Sequence, residues 1–593
     1  ARPEEAMNYL LFSRPIKRGL QTALLLGILL VNFSTGSTRI AYAAPPSNDN
    51  FANAAVIGSI PYVSSISTTE ASQVGDGPVV GSICDGKTLT KGTNNVWYRY
   101  TPGTTAPVNV DALGSNYDTY IAIWTGPDID NLTLVACDDD NDAGFQSQMI
   151  LFSATAGVTY YIEVAQFSCT QDPGCIPEVP TGGNLVVHVR EPAYVNTYIA
   201  GALQDQYILA HQSSLRQSYA GIDAGPVKIQ STNGVPLVAS ERVAYNNGSA
   251  WTSHSELMGL PTSKLSTSYT FPFYNNVELN SQLRFGNVGT VGTTVTVRIA
   301  GQLMGSYNLA ANASRRVSYG GVNAGPVVIT SNGQLIIASL RVAYTPDGGA
   351  TWTSFSEMMG LPSNQLTNSY VFPWYNNLDL NSQLRFGNVG TNPTTVTVTV
   401  GGQLKGNYTL QPNESKRVSY PALDRGPVKV TSSGNVPIIA SMRVAYTPNG
   451  GVTWTDFSEI MGLPTASLGT HYSFPIYNNV DLNSQMRFGN VGTANTTVTV
   501  TINGVLKGTY ALVPNQSRRV SYNGMNSGPV VVQSSGGVPI VASERVAYTP
   551  NGGATWTSFA EMMGLPQAQL STTYLFPWYN NLDLDTQLRF GVP

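Results

Sequence analysis

Charged side chains are scarce in this chain. Lys, Arg, Asp and Glu make up 11% of its 593 residues, and the formal net charge is −4. The 31 basic residues form neither a block nor a stripe interleaved with aromatics, which argues against a nucleic-acid-binding protein. So little charge, together with 58 glycines and 31 tyrosines, is typical of loop-rich, all-β extracellular proteins and not of helical cytosolic enzymes.

Histidine is rarer still, and the catalytic motifs that use it are missing. The 4 histidines are His188, His211, His254 and His471, and they belong to no recognisable catalytic arrangement. The sequence contains no HExxH, GxSxG or phosphate-binding loop. General acid–base catalysis needs carboxylates or histidines that converge on one point. The sequence therefore predicts that the protein is not an enzyme.

Only one apolar run is prominent, and it is short. It extends from Leu20 to Phe33, which is less than the roughly 20 residues that a membrane-spanning helix needs. Its basic flank contains Arg14, Lys17 and Arg18. An Ala-Tyr-Ala site ends at Ala43, so residues 1–43 are predicted to be a secretory signal peptide, with residues 1–6 upstream of a start at Met7. The expected mature protein is secreted or on the cell surface, without a membrane span; a retained anchor is the alternative.

Cysteine occurs only in the N-terminal part of the chain. The 4 residues are Cys84, Cys137, Cys169 and Cys175. Four cysteines allow three pairings, of which Cys84–Cys137 with Cys169–Cys175 is preferred here, the second bond closing a small loop. A zinc site is the alternative, but the spacing has no CxxC pair.

Residues 48–190 are expected to form the first folded domain. Short alternating runs such as 96–102, 117–126 and 155–167 are separated by Gly, Pro, Asn and Asp, which indicates a β-sandwich. With its opening NDNFANAAVI, this region resembles the bacterial pre-peptidase C-terminal-like domains of secreted proteins. The resemblance implies a jelly-roll-like sandwich that accompanies other domains and is not itself catalytic.

One dense acidic cluster lies in this domain. It contains Asp138, Asp139, Asp140 and Asp142. Carboxylates so close together repel each other unless a cation or solvent separates them, and Ca²⁺ is bound by several such oxygens. The cluster therefore predicts a Ca²⁺ site, to which the resemblance to related domains adds Asp49. The spacing is not that of an EF-hand, and a solvated turn is the alternative.

After Pro192 the chain repeats itself. The period is 101 or 102 residues, counted between the FP dipeptides that begin at Phe271, Phe372, Phe474 and Phe576. Every copy contains RFG, GPV, RVAY and MGLP motifs, with turn residues between short strand-like runs. About seven strands in this length is the size of an immunoglobulin-like sandwich. The sequence thus predicts an N-terminal jelly-roll-like sandwich followed by tandem Ig-like β-sandwich repeats.

The repeat boundaries follow from this period. They are 194–270 for repeat 1, 271–371 for repeat 2, 372–473 for repeat 3, 474–575 for repeat 4, and 576–593 for a C-terminal strand. Residues 194–593 also resemble uncharacterised Ig-like surface repeats of Chloroflexota-type bacteria. That resemblance implies a surface location and carries no assigned activity.

The same few charges recur in every repeat. The acidic residues are Glu256, Glu357, Glu459 and Glu561. The arginines of the RVAY motifs are Arg242, Arg341, Arg443 and Arg545, and a further arginine precedes each RFG phenylalanine, at Arg284, Arg385, Arg487 and Arg589. The recurrence predicts an Arg–Glu ion pair within each repeat, which would contribute little if it were exposed.

Two further features bear on sugars. Asn-x-Ser/Thr sequons occur at Asn131, Asn247, Asn312, Asn407, Asn413, Asn495 and Asn515, which are candidate glycosylation sites. Trp374 and Trp578 stand where other copies have Phe273 and Ile476. A sugar-stacking platform would need an aromatic in every copy, so packing is the favoured role and polysaccharide binding the alternative.

The final copy contains a strand that alternates with a period of two. Its apolar side is Leu582, Leu584, Thr586, Leu588, Phe590 and Val592. In the internal copies such a strand leads into the next sandwich, whereas repeat 1 begins near Tyr194 without one. Repeat 1 is therefore expected to lack its opening strand, and residues 576–593 to be a donor strand.

This pattern suggests a homopolymer. The donor strand of one subunit would complete repeat 1 of the next by β-strand addition, and such a heterologous, head-to-tail contact produces filaments. If instead each repeat ends after RFGNVG, four complete repeats (194–289, 290–390, 391–492 and 493–593) would form a monomeric stalk or adhesin. In a further alternative, the tail folds back on the last repeat.

The filament hypothesis predicts the effect of deleting residues 576–593. The shortened protein is expected to remain as soluble monomers, because the donor strand is missing. Negative-stain electron microscopy measures this directly, and filaments of normal appearance without the tail would contradict the hypothesis.

Overall fold

The computed structural model describes residues 44–72, 77–78, 93–139, 147–167, 181–246, 251–344, 354–446, 456–548 and 558–593. The predicted signal peptide lies outside these residues. Within them the protein consists of β-strands and short 3-10 turns, which confirms the all-β fold class. No helix in these ranges is long and apolar enough to cross a membrane.

The N-terminal domain is a sandwich of two sheets. Its strands are β1 (Ala55–Ile57), β2 (Tyr62–Ser67), β3 (Thr93–Tyr100), β4 (Ala106–Asp111), β5 (Thr119–Thr125), β6 (Thr133–Asp138), β7 (Gln148–Ala154), β8 (Tyr160–Gln166) and β9 (Asn184–Arg190), with 3-10 turns at Phe51–Asn53 and Ile129–Asn131. One sheet has the order β1-β3-β8-β5-β6 and the other β2-β9-β4-β7. Val96, Ile121, Ile162 and Val187 are fully buried between them.

The rest of the chain forms four modules of one topology. The contiguous part of module 1 contains β10 (Ala193–Ile199), β11 (Ala202–Leu209), β12 (Ser214–Gln217), β13 (Asp223–Ala224), β14 (Val227–Ser231), β15 (Val238–Asn246), β16 (Trp251–Met258) and β17 (Leu260–Pro261), followed by a 3-10 turn at Thr262–Lys264.

Module 2 shows the complete pattern. It contains β18 (Ser268–Phe271), β19 (Tyr274–Asn275), β20 (Asn280–Asn287), β21 (Thr293–Ile299), β22 (Gln302–Leu309), β23 (Ser314–Val317), β24 (Asn323–Ala324), β25 (Val327–Ser331), β26 (Ile336–Tyr344), β27 (Ser354–Met359) and β28 (Leu361–Pro362), with a 3-10 turn at Ser363–Gln365. A five-stranded sheet, β22-β21-β25-β18-β28, packs on a four-stranded sheet, β23-β20-β26-β27, and β19 pairs with β24.

Modules 3 and 4 repeat this arrangement. Module 3 contains β29 (Ser369–Phe372), β30 (Tyr375–Asn376), β31 (Asn381–Asn388), β32 (Thr394–Val400), β33 (Gln403–Leu410), β34 (Ser415–Val418), β35 (Asp424–Arg425), β36 (Val428–Ser432), β37 (Ile438–Tyr446), β38 (Asp456–Met461) and β39 (Leu463–Pro464), with 3-10 turns at Ser433–Asn435 and Thr465–Ser467. Module 4 contains β40 (His471–Phe474), β41 (Tyr477–Asn478), β42 (Asn483–Asn490), β43 (Thr496–Ile502), β44 (Val505–Leu512), β45 (Ser517–Val520), β46 (Asn526–Ser527), β47 (Val530–Ser534), β48 (Ile540–Tyr548), β49 (Ser558–Met563) and β50 (Leu565–Pro566), with a 3-10 turn at Gln567–Gln569.

Local sequence explains these strands. In β32 the pattern TTVTVTV places Val396, Val398 and Val400 in the module core and the intervening threonines towards solvent. The glycine of each GPV motif is required by close packing of the backbone. A Cβ atom at Gly325 would lie 2.4 Å from the carbonyl oxygen of Pro272, so a side chain there would force the two strands apart.

The end of the chain completes module 1. Its last strands are β51 (Thr573–Phe576), β52 (Tyr579–Asn580) and β53 (Asp585–Gly591). They give the sheet orders β11-β10-β14-β51-β17 and β12-β53-β15-β16, and β52 pairs with β13. Phe590 lies opposite Leu215 of β12 and Ala239 of β15. Hence β53, called the closing strand below, is an inner strand of a sheet.

This pairing corrects the expectation of a donor strand without a partner in its own chain. The slot in module 1 is filled by the tail of the same chain, because the modules close into a ring. The strands nearest the ring axis, called the axial strands, are β16, β27, β38 and β49, and each contacts the next around the circle, including β49 with β16. Module 4 is thereby beside module 1, and a short 3-10 turn is enough to bring β51 into it.

The ring contacts are apolar as well as polar. Phe355 of module 2 packs against Val243 and Leu584 of module 1. The equivalent Phe457 and Phe559 extend the cores of modules 2 and 3, respectively. Modules 2, 3 and 4 therefore each contribute one buried phenylalanine ring to the module before them.

The N-terminal domain contacts the ring where it closes. The backbone N–H of His211 in module 1 donates to the Asn109 side chain, at 3.3 Å. Leu113, which follows β4, packs against the turn at Gly504 of module 4. The domain thus touches modules 1 and 4 together.

Truncation of Phe590 should loosen the closing strand. The Phe590 ring is 5.7 Å from the Tyr207 ring, and its counterpart in module 2, Phe285, is 5.8 Å from Tyr307. Phe590→Ala should cost about 3–5 kcal/mol of module 1 stability, as a large-to-small core change does. Hydrogen exchange by mass spectrometry should show faster exchange throughout residues 573–593.

Phe285→Ala is the matched control. It should cost module 2 a similar amount but leave residues 573–593 protected, because β20 is joined to its module by chain on both sides. Equal protection of these residues in Phe590→Ala and the unchanged protein would contradict the pairing described above.

Candidate functional site: closure of the ring at module 1

The predicted polymerisation residues are mostly buried in module 1. Leu584, Thr586, Leu588, Phe590 and Val592 are all inaccessible or nearly so. Leu582 is the exception. Its side chain is 66% exposed, because the Asn580 side chain accepts hydrogen bonds from the N–H groups of Leu582 and Asp583 and holds a turn there. The strand itself begins only at Asp585.

The opposite side of the closing strand is also buried at its C-terminal half. Arg589, which the alternating pattern places on the polar side, is only 3% exposed. The prediction of a strand buried on one face is therefore incomplete. Alternation identifies the apolar face but cannot show that the polar face meets an ion-pair partner inside the ring.

That partner is part of a charge cluster repeated in every module. Each of the predicted Arg–Glu pairs exists, and each glutamate also binds the arginine of an RFG motif. The sets are Glu256 with Arg242 and Arg589, Glu357 with Arg284 and Arg341, Glu459 with Arg385 and Arg443, and Glu561 with Arg487 and Arg545. All twelve side chains are buried, so these pairs are not the weak surface bridges that the sequence allowed for.

In module 1 this cluster joins the two ends of the repeat region. Glu256 lies on β16 and Arg242 on β15, whereas Arg589 comes from the closing strand and donates to Glu256 over 2.8 Å. Burial opposes ionisation of Glu256, but the two guanidinium groups outweigh it and lower the Glu256 pKa to about 2. Removing one partner of such a buried pair leaves an uncompensated charge, which is strongly destabilising.

Two extra glutamates, one in module 1 and one in module 4, lie at the two junctions that module 1 makes with its neighbours. Glu241 and Glu544 are fully buried and occupy the position that is Leu340 in module 2 and Met442 in module 3. Burial is the main cause that raises the pKa of each carboxyl well above its usual range. Neither forms an ion pair within 4 Å in the described part of the chain.

Their charged neighbours show which junction each faces. Glu241 is influenced by Glu357, Arg284 and Arg341 of module 2. Glu544 of module 4 is influenced by Glu256, Arg589 and Arg242 of module 1. Module 1 therefore has one such buried carboxyl at its junction with each neighbouring module. The fold does not need this carboxyl, because modules 2 and 3 have leucine and methionine at the same position.

The contact between modules 4 and 1, called the closing junction, differs from the other three along the axis. Elsewhere a serine hydroxyl accepts the N–H of the glutamate in the next module: Ser255 from Glu357 at 2.7 Å, Ser356 from Glu459 at 2.8 Å and Ser458 from Glu561 at 2.8 Å. Module 4 has Ala560 at this position.

At the closing junction the remaining axial hydrogen bond lies two residues earlier in the strand, and its counterpart at the junction of modules 3 and 4 runs from the Phe559 N–H to the Asp456 side chain. The His254 N–H donates to the Ser558 hydroxyl at 2.8 Å, and the same hydroxyl is 2.9 Å from His254 Nδ1. His254 stands where the other modules have a buried phenylalanine. Burial lowers the His254 pKa to about 3, helped by Arg242, so the imidazole is neutral at ordinary pH.

The outer side of the junctions shows the same asymmetry. Arg316 lies over the Trp578 ring and pairs with Asp223, and Arg519 lies over Trp374 and pairs with Asp424. At the junction of modules 2 and 3, Arg417 lies over Phe273 and pairs loosely with Glu278. The closing junction has Ile476 and a hydrogen bond from Arg216 to Asn526 instead. The tryptophans therefore pack between modules.

The N-terminal site predictions are only partly covered by the described residues. Cys137 is in a disulfide, but Cys84, Cys169 and Cys175 lie outside these residues, so the pairing stays a prediction. Asp140 and Asp142 lie outside them too. Asp49 accepts hydrogen bonds from the N–H and hydroxyl of Ser72, both at 2.7 Å. The residues that are described contain no group of three or more potential metal ligands; the Ca²⁺ site stays a prediction.

Most of the predicted glycosylation sites are exposed. The exposed asparagines are Asn131, Asn312, Asn407, Asn413, Asn495 and Asn515, and Asn247 lies outside the described residues. Three of them, Asn312, Asn413 and Asn515, have left-handed backbone conformations, which asparagine adopts more readily than most residues. Their side chains lie against a turn glycine of the preceding module, so these three also have a packing role.

Comparisons with known proteins give no family. No family model matches the chain, and no curated protein matches it. Among solved structures, the M60 catalytic domain with two CBM51 domains from Clostridium perfringens ZmpB aligns at 9% identity and a TM-score of 0.12, covering 81% of this chain and 55% of that one. Salmonella alpha-2-macroglobulin aligns at 10% identity and a TM-score of 0.09, covering 86% of this chain and 36% of the other. The chain thus spans about half and about a third of these two structures, and scores this low support no inference.

Replacing the extra carboxyl at the closing junction should stabilise the ring. Glu544→Met, which copies Met442 of module 3, is expected to raise the free energy of unfolding at pH 7 by on the order of 1–3 kcal/mol, the cost of burying a poorly satisfied polar group. Because folding raises the Glu544 pKa, Glu544 increasingly destabilises the folded protein as the pH rises above the ordinary pKa of a glutamate. The pH-dependent part of the gain should therefore vanish below about pH 4.

Denaturant unfolding at several pH values measures this effect. Met442→Glu is the reciprocal variant and should destabilise module 3 with the opposite pH dependence. A loss of stability in Glu544→Met at pH 7 would mean that the carboxylate is ionised and held by Arg242 and Arg589, contrary to the account above.

Proposed function

We propose that the protein is a secreted, non-enzymatic structural protein of the cell surface, in which four Ig-like modules form a rigid ring closed by the chain's own C-terminal strand. The single observation that carries this proposal is the position of β53 between β12 and β15 of module 1. It favours a monomeric surface protein or adhesin over a filament subunit, because the isolated chain already holds its own closing strand.

Closure within one chain has a physical advantage. Module 4 is linked to β51 by a few residues, so the closing strand is held beside its slot at a high effective concentration. A strand from another subunit must compete with it at the far lower concentration of free protein. The N-terminal domain, which touches modules 1 and 4 together, adds a further contact across the closing junction.

The ring is well suited to presenting surface turns in fixed positions. The buried Ser–Glu hydrogen bonds and the aromatic contacts between modules leave few degrees of freedom between one module and the next. Trp374 and Trp578, the candidate sugar-stacking residues, are packed beneath arginines, so these residues do not support a polysaccharide site. Display of exposed, sequon-bearing turns is compatible with a surface protein.

A filament assembled by strand exchange is the second candidate. It is favoured by two specific features: module 1 is completed without a covalent link between β17 and β51, and the closing junction lacks both the Ser–Glu hydrogen bond and the arginine–aromatic–acid contact of its counterparts. In a filament, module 4 of one subunit would make these same contacts with module 1 of the next, as domain swapping does.

A designed disulfide distinguishes the two forms. Val243 of β15 lies directly opposite Thr586 of the closing strand, a spacing that cysteines can bridge. Val243→Cys/Thr586→Cys should give, after oxidation, a single linked chain on a non-reducing gel. In a mixture of isotopically light and heavy protein, mass spectrometry should find only light–light and heavy–heavy crosslinked peptides.

The equivalent pair in module 2 is the control. Ser281 lies opposite Val342 in the same register, and Val342→Cys/Ser281→Cys must link within one chain in either form. A ladder of linked subunits and light–heavy peptides with the first pair, but not with the control, would contradict the closed monomer and establish strand exchange.

A further inference from the structure

An apolar pocket lies on the ring axis, where the four MGLP motifs converge. Its volume is about 130 Å³. Each module contributes the same residues to its wall: the methionines are Met258, Met359, Met461 and Met563, and the leucines are Leu260, Leu361, Leu463 and Leu565. Gln365, Ser467 and Gln569, from the 3-10 turns that follow the motifs, add polar groups to the lining. Because all four modules build it, the pocket exists only in the closed ring.

The methionines separate this pocket from a smaller cavity below. That cavity has a volume of about 70 Å³. Each module lines it with the same methionine, with the apolar residue before that methionine, and with the glutamate of its charge cluster: Glu256, Leu257, Glu357, Met358, Glu459, Ile460, Glu561 and Met562. The glutamates are bound by arginines, as described above, and so offer no free acceptor to a ligand. The pocket therefore presents thioether and alkyl groups on its wall, with amide and hydroxyl groups beside them.

The positive charge below the pocket argues against a cation as its ligand. Four thioethers could bind a soft metal ion such as Cu(I). However, each glutamate of the cluster is matched by two arginines, so an excess of positive charge lies behind the methionines. A cation on the axis would be repelled by it.

We propose that this axial pocket binds one small, neutral aromatic molecule of the size and polarity of phenol. The volume is close to that of an apolar protein cavity that accommodates a single benzene ring. Methionine side chains adapt to irregular shapes, and their sulfur atoms contact aromatic rings favourably. A single hydroxyl group on the ring would reach the amides of Gln365 or Gln569 or the hydroxyl of Ser467. This inference depends on closure of the ring and is independent of any surface role.

Methionine-methyl NMR of the full-length protein tests the proposal with phenol as the probe. Titration should shift the signals of Met258, Met359, Met461 and Met563 saturably, with a Kd of about 0.1–1 mM for a ligand of this size. Met442 and Met486 are built-in controls. They are buried in the cores of modules 3 and 4 and line neither the pocket nor the smaller cavity, so their signals should not move.

Two pocket-filling variants, Met461→Phe and Met359→Phe, should each abolish the phenol-induced shifts while keeping the methyl spectrum of the module cores. Toluene should bind more weakly than phenol if the polar groups of the lining take part. The proposal is overturned if the four axial signals do not saturate, if Met442 and Met486 shift equally, or if both filled variants still bind. Saturable shifts with Ag⁺ but not with phenol would likewise overturn it in favour of a soft-metal site.

Discussion

The pairing of the closing strand with β12 and β15 is the constraint on which the rest of the structure depends. Three sheets of module 1 need residues 573–591, and without them the core around Leu237, Val238 and Ala239 would be open to water. Because module 4 delivers these residues, module 1 can fold fully only when module 4 is beside it. Completion of one sandwich and closure of the ring are therefore the same event.

Charge plays an unusual part in a chain that has so little of it. Most of the recurring arginines and glutamates are not spread over the surface but are concentrated near the ring axis. Buried ion pairs are weak evidence for stability, since apolar packing often serves as well. Their geometry is demanding, however, and in module 1 the Arg589–Glu256 bond forms only when the closing strand is in register. A one-residue slip would place Arg589 in the apolar core.

The four modules are alike in fold but not in their contacts. Phenylalanine and serine at three axial junctions become His254 and Ala560 at the fourth. On the outer side, arginine contacts an aromatic ring and an acidic group at three junctions, whereas the closing junction has Ile476 and Asn526. The N-terminal domain contacts the ring at the same place. The closing junction thus differs most from the contact pattern of the other three, while the sandwich architecture is the same.

Much of this protein was determined by local sequence. Strand alternation, turn residues and the 101- or 102-residue period predict the all-β class, the recurring Arg–Glu pairs and a first repeat without an opening strand. Periodicity cannot show where the last strand goes, since Phe590 and Leu588 would be equally buried in a slot of the same chain or of another. Nor can it show that Arg589 is buried, that Leu582 is held in a turn by Asn580, or that four MGLP motifs surround one pocket. Those facts depend on the angle between successive modules, which is set by side-chain contacts across the junctions, and only the tertiary structure decides whether that angle closes a ring.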